Sequence, residues 1–360
     1  MRPGLTAIQG IGVVGAFGCG LEALAASLRQ GPAPAGELAF TAEGREWRMP
    51  AFLADTAPLE RFVSKRETRR VDHFSRLALL GACLALEDGG ALECPHEDLG
   101  LIIASGYGAT RTTFAFLDSV LTDGDPCASP TLFSNSVHNA AAAHVAIQLR
   151  ITGPSLTLSQ FGMSVASGLL TARQWLAQGR VQRVLFGALD ELCPVLGYCH
   201  QRFFGAAPAR IEPFALDRQS AVPGEGAAFF LLEAGTDSRY AGISRVSLGR
   251  RRGEETGFPP EAAYVINADG HPACASRYPG ILPPGAQVAA FTPHYGSFPT
   301  SQALDLAAAA LVLRDGRFPP ADPGRGCACE WRPAAATGNG LICLACDGGG
   351  YHGAIHLEGG

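Results

Sequence analysis

The chain has 360 residues, 47% of them hydrophobic and 17% charged, with 45 Gly and 25 Pro. A chain of that length buries roughly three quarters of its unfolded surface, so it needs neither disulfides nor a structural metal, and its 11 Cys read as small hydrophobes of a reducing compartment. A net charge of −5 argues against a nucleic-acid partner, and the lack of a membrane-length apolar run or secretory leader predicts a cytoplasmic protein with no membrane partner.

Residues 5–14 form an apolar run that breaks at Gly18-Cys19-Gly20, and helical periodicity follows over 21–28, so the chain opens as strand, turn, helix. Residues 45–57 read as irregular and 71–87 as a helix. The run 99–105 is short and continuously apolar, as expected of a strand buried on both faces. An Ala-rich helix ends near Leu149, Gly153-Pro154 turns the chain into a strand at 155–158, a helix covers 163–178, and buried strands follow at 181–189 and 227–233. Strands alternating with helices predict a largely parallel sheet covered on both sides. Residues 235–284 are rich in Gly and Pro and read as loops with one strand at 263–268; a helix at 301–313 and strands at 341–344 and 354–357 close the chain. Both halves end in a strand–helix–strand pattern, which predicts an internally duplicated fold divided into 1–234 and 235–360. Cys327-x-Cys329 with Cys343-x-x-Cys346 has a zinc-like spacing, but the second pair sits in an apolar strand where Cys is ordinary core filler, and no metal or cofactor is expected.

The segment that should carry chemistry runs from Gly153-Pro154-Ser155 through Ser159-Gln160-Phe161-Gly162-Met163-Ser164 to Gly168. A buried strand entering a small-residue turn and then a helix aims that turn at the helix N-terminus, where free N–H groups and the dipole favour an anionic nucleophile. This stretch resembles the active-site segment of β-ketoacyl synthases, members of the thiolase-like superfamily. Phe133 to Asn139, the stretch Glu212-Pro213-Phe214-Ala215-Leu216-Asp217-Arg218, and Gly224-Glu225-Gly226 resemble further motifs of that family in the same order. The resemblance implies a five-layered α-β-α-β-α fold of two similar halves.

It also implies a nucleophilic Cys, two His and a gating Phe. Counted without gaps, the Cys position falls on Gly162, which has no side chain to acylate. The first His falls on Asp269, whose charge would repel the enolate it should stabilise; a rival alignment puts His294 there. The second falls on Gly296, after Tyr295, and the gating Phe on Gly348.

With these positions emptied, no catalytic residue is expected, and Gln160, Phe161, Met163 and Gly348 remain as candidates for a vestigial cavity. Gln160 reads either as a turn residue bonded to backbone or as a plug; Phe161 and Met163 as packing or as a cavity floor. The resemblance points to a chain length factor, the non-catalytic partner of an active ketosynthase, with an acyl carrier protein as an indirect partner. It places the heterodimer interface over 134–161, with Ser134, Asn135, His138 and Asn139 as candidates. His138 and His144 read as structural, and Asp217 and Arg218 as a structural pair. Two alternatives stand beside this. One is an active condensing enzyme with an atypical site. The other is a serine hydrolase using Ser164, with Asp217 and His294 completing the order Ser, Asp, His.

Overall fold

In the computed structural model, which describes residues 4–250, 258–319, 331–334 and 340–359, nine of the ten residues of strand β1 (Thr6–Gly15) are buried. A strand covered on both faces has a core on each side. It continues through β2 (Gly18–Cys19) into α1 (Leu21–Gln30). Residues 45–57, expected to be irregular, instead contribute to an antiparallel hairpin, β3 (Gly36–Ala42) with β4 (Arg45–Ala51). Its turn residues Glu43 and Gly44 lie at φ 52° and 72°, the positive values a two-residue hairpin loop requires.

Then follow α2 (Lys65–Thr68), α3 (His73–Asp88), β5 (Leu99–Ser105), α4 (Thr110–Asp123), α5 (Pro130–Asn135), α6 (Ala140–Gln148), β6 (Ser155–Ser159), α7 (Ser164–Ala177), β7 (Arg183–Asp190), α8 (Pro194–Phe204) and β8 (Gly226–Ala234). The second part comprises β9 (Ala241–Arg250), β10 (Ala263–Ile266), α9 (Pro272–Ala275), β11 (Gln287–Ala289), α10 (Gln302–Asp315), β12 (Arg332–Pro333), β13 (Leu341–Cys346) and β14 (Tyr351–Gly359). Several of these elements depart from the sequence reading: strand β9 occupies part of the expected loop region, and α4 and α8, with the short α2, α5, α9, β11 and β12, had no counterpart.

One sheet runs β12-β11-β10-β13-β14-β9-β1-β8-β7-β5-β6. Its two arms meet where β1 pairs with β9 at only two positions, Thr6 with Ile243 and Ala7 with Gly242. Outward from β1 come β8, β7, β5 and β6; outward from β9 come β14, β13, β10 and β11. In each arm the first two pairings are antiparallel and the next two parallel. The strand order of one arm is thus repeated in the other.

Helix α3 lies against the outer face of the first arm, so close that a Cβ on Gly12 would meet the Gly81 carbonyl oxygen at 2.2 Å. Helices α7 and α10 lie between the arms, each touching strands of both. Every residue of α10 from Gln302 to Val312 is buried, as fits a helix with no solvent face. Tyr278, Ile281 and Leu282 cover the far face of the second arm. The layers are therefore α-β-α-β-α, as the resemblance implied.

Cys343 and Cys346 enter different core clusters on opposite faces of β13, the outcome of an odd separation in a strand, so they pack as hydrophobes. Cys327 and Cys329 lie outside the described residues. No helix among the described residues is long and apolar enough to cross a membrane.

Candidate functional site

Strand β6 ends at Ser159, and Phe161–Met163 form one turn of 3-10 helix before α7 begins. The turn is tied by Ser164, a fully buried residue whose hydroxyl accepts from the Gln160 N–H at 2.8 Å and donates to the Ser105 carbonyl at 3.0 Å. The Gln160 side chain is bonded as well, its oxygen accepting from the Ser167 hydroxyl in the first turn of α7. At Gly162 a Cβ would meet no atom within 4 Å. There is room for a side chain there, and none is present.

The strained residue of this turn is its neighbour. Phe161 has φ 45°, a conformation that costs a bulky side chain about 1–3 kcal/mol. The residue is 66% exposed, and its ring sits edge-on to Tyr107 with centroids 6.4 Å apart, a pairing worth only about 0.5–1.5 kcal/mol. Met163, by contrast, is buried core.

The other emptied positions lie on the second arm, beyond the ends of β10, β11 and β13. Asp269 accepts from the His271 N–H at 3.1 Å and from the Ser297 hydroxyl at 2.7 Å. Gly296, beside Ser297, has φ 90°, and a Cβ there would stand 2.8 Å from the Gly224 Cα and 2.9 Å from the Phe52 ring. A side chain has no space at that position. Below it the Tyr295 hydroxyl donates to the buried carboxyl of Asp305, which also accepts from the Asn267 amide at 2.6 Å; burial pushes that carboxyl up to about 7. The loop bearing Gly348 packs on α9, its Cβ position 3.5 Å from the Ala273 methyl, and strands β13 and β14 touch the Phe161–Met163 turn. The emptied positions are thus gathered at one end of the central layer.

Several residues of this region have no local sequence signal. Asp190, fully buried at the end of β7, accepts from the N–H groups of Gly106 and Tyr107, each at 2.8 Å, and from the Thr300 hydroxyl at 2.9 Å, so it holds the Tyr107 loop against the start of α10. Burial, then the charges of Asp190 and Asp269, raise the Tyr107 phenol above its ordinary range. His200 on α8 is packed between Phe204 and His271, with ring centroids at 5.3 and 6.0 Å. Burial lowers it to about 4, and neither ring nitrogen has a partner among the described residues.

The candidate interface residues divide. Ser134, His138 and Asn139 are exposed, whereas Asn135 is turned inward, donating to the Arg70 carbonyl at 2.8 Å and meeting His144 at 3.0 Å. Among the described residues strand β6 is one end of the sheet, β12 being the other. Arg218 bonds Glu212 rather than the expected Asp217. His294 lies against α1, 2.9 Å from the Ser27 hydroxyl, so the structure brings it neither to the first His position nor to Ser164, and the hydrolase constellation is not assembled. The Cys274 thiol, near Asp269, is pushed up to about 12 by burial, which leaves it inert as a nucleophile.

Residues 7–238 match the family model described as the N-terminal domain of β-ketoacyl synthase. A Streptomyces virginiae protein described as a polyketide β-ketoacyl synthase is 30% identical over 255 residues, covering 66% of this chain and 59% of that protein, so the match spans less than two thirds of that relative. A Streptomyces rimosus protein described as an oxytetracycline polyketide β-ketoacyl synthase is 25% identical over 364 residues, covering 84% of this chain and 85% of the other. Among solved structures, the ishigamide ketosynthase/chain length factor matches with a TM-score of 0.80 at 20% identity, covering 99% of each chain; that likeness shows the fold.

Proposed function

The chain belongs to the β-ketoacyl synthase family, and from that premise we propose that it is a non-catalytic, chain-length-factor-like subunit. It pairs with an active ketosynthase and shapes the cavity that holds a growing polyketide chain carried by an acyl carrier protein. One observation carries the reading: the turn that aims a nucleophile at the N-terminus of α7 is preserved and open, yet the residue there is Gly162. The filled space at Gly296 supports it, since both halves of the decarboxylating pair are missing. The free edge of β6 supports a second subunit, because an unpaired edge strand presents backbone groups that another chain can satisfy. The repeated strand order of the two arms supports treating 1–234 and 235–360 as the two halves.

Condensation through a different residue draws no support from Cys274, whose thiol is too basic, and hydrolysis draws none from Ser164, whose hydroxyl is bonded on both sides. The test is co-expression with the catalytic ketosynthase, followed by elongation assays with and without this chain. Shortened, lengthened or scattered products in its absence are expected. Identical product lengths at an identical rate would dismiss the role.

A further inference from the structure

Resting on the heterodimer reading above, we propose that Phe161 is the aromatic anchor by which the emptied turn engages the ketosynthase subunit, its ring buried on that partner rather than within its own chain. The first observation is conformational. Among the described residues three non-glycine residues have positive φ, and the other two, Glu43 and Arg150, are exposed polar residues in surface turns that need no packing. Phe161 is the aromatic one, and a bulky residue keeps such a backbone only where contacts offset it.

The second observation is that its own chain does not supply those contacts. The residue remains 66% exposed, and among the described residues Tyr107 is the one ring set against it, edge-on. The compensation has to come from outside the chain. The third observation says what lies outside. Phe161 lies two residues beyond the end of β6, and β6 is the outermost strand of its arm of the sheet. Its Leu156 and Leu158 are only partly buried, and Ile147, on the helix that packs beside β6, is 71% exposed. A row of unpaired N–H and C=O groups is satisfied by a strand of another protein and not by an acyl chain, so the occupant is the protein partner. An aromatic ring at the end of such an edge has the character of an interface hot spot.

The experiment compares the full-length wild type with Phe161→Gly and Phe161→Ala. Denaturation of each isolated chain reads the strain, and binding to the co-expressed catalytic ketosynthase, measured by titration, reads the anchor. Phe161→Gly is expected to unfold at a higher midpoint than wild type, since glycine adopts φ 45° freely, while both variants bind the partner at least tenfold more weakly. A glycine variant less stable than wild type overturns the strain argument. Unchanged affinity in Phe161→Ala, with wild type binding well, overturns the anchor alone. Failure of the wild-type chain to associate overturns the heterodimer reading and the anchor with it.

Discussion

The Ser297 hydroxyl donates a 2.7 Å hydrogen bond to the carboxylate of Asp269, joining the two places where a condensing enzyme of this family is expected to carry its imidazoles. In this chain the pair is a structural tie between the loop after β10 and the loop before α10. The Asp269 carboxylate is held in place by Ser297 and by the His271 backbone N–H. On the proposed non-catalytic reading, the loss of chemistry is distributed over several such contacts.

Restoring the second imidazole should damage the fold. Gly296→His places a Cβ 2.8 Å from the Gly224 backbone at φ 90°, which should cost about 3 kcal/mol or more by combining backbone strain with overpacking. Gly162→Ala, where no atom lies within 4 Å, should change stability by no more than about 0.5 kcal/mol. Urea denaturation of the two variants checks the contrast, and equal effects would mean that the close contact at Gly296 relaxes cheaply.

These two glycines also show what the sequence could reveal. Gly162 is reached by counting from Gly153-Pro154-Ser155, and the structure places it in the turn between β6 and α7 with open space beside it. The contact between Asp269 and Ser297 is not reached that way, since it depends on how two loops from different strands converge. Strand β5, buried along all seven residues, announces itself as an apolar run. Strand β9 does not, because beyond its first three residues only Val246 is buried while Arg245, Leu248 and Arg250 are exposed, which reads as loop beside so much Gly. The hairpin at 36–51 packs on α8 through Leu38, Phe40 and Met49, a long-range contact invisible to local periodicity. The positive φ of Phe161 has no sequence signature at all, since phenylalanine is not a residue that favours it.

Returning the nucleophile should give reactivity without condensation. In Gly162→Cys the new thiol stands in open space just before α7, where the helix N-terminus favours thiolate. It should be alkylated by iodoacetamide at neutral pH, detected by mapping the peptide that spans β6 and α7, since Cys94 is exposed in the native chain. With acyl and malonyl carrier proteins supplied, no β-ketoacyl product is expected, because Asp269 and Gly296 are unchanged. Formation of that product would show that the imidazoles are dispensable here.

Ser164 is a structural hydroxyl, and its removal should be read in stability. Ser164→Ala deletes one donor and one acceptor in a fully buried place and leaves the Ser105 carbonyl and the Gln160 N–H unpaired, a loss of about 1–3 kcal/mol. A fluorophosphonate probe should leave the native residue unlabelled. Labelling at Ser164, found by peptide mapping, would revive the hydrolase reading.

The pH dependence of stability should carry the mark of Asp305. Its carboxyl is fully buried, and burial raises it to about 7, against about 3.9 for an unfolded chain. The folded protein therefore holds this proton more tightly than the unfolded one, so its contribution is complete below about pH 4 and disappears as pH rises through about 7. Two groups act in the opposite sense: His200 and His294 are both lowered to about 4 by burial, so their effect favours the folded state as pH climbs past the ordinary histidine range. A bare stability profile mixes these contributions, and a difference separates them. The stability of wild type minus that of Asp305→Asn should fall by about 2 kcal/mol between pH 5.5 and pH 8. Urea denaturation of both proteins at the two pH values measures it, and a difference that stays flat or rises would mean that Asp305 is ionised in the folded chain throughout, held by Tyr295 and Asn267 against its burial.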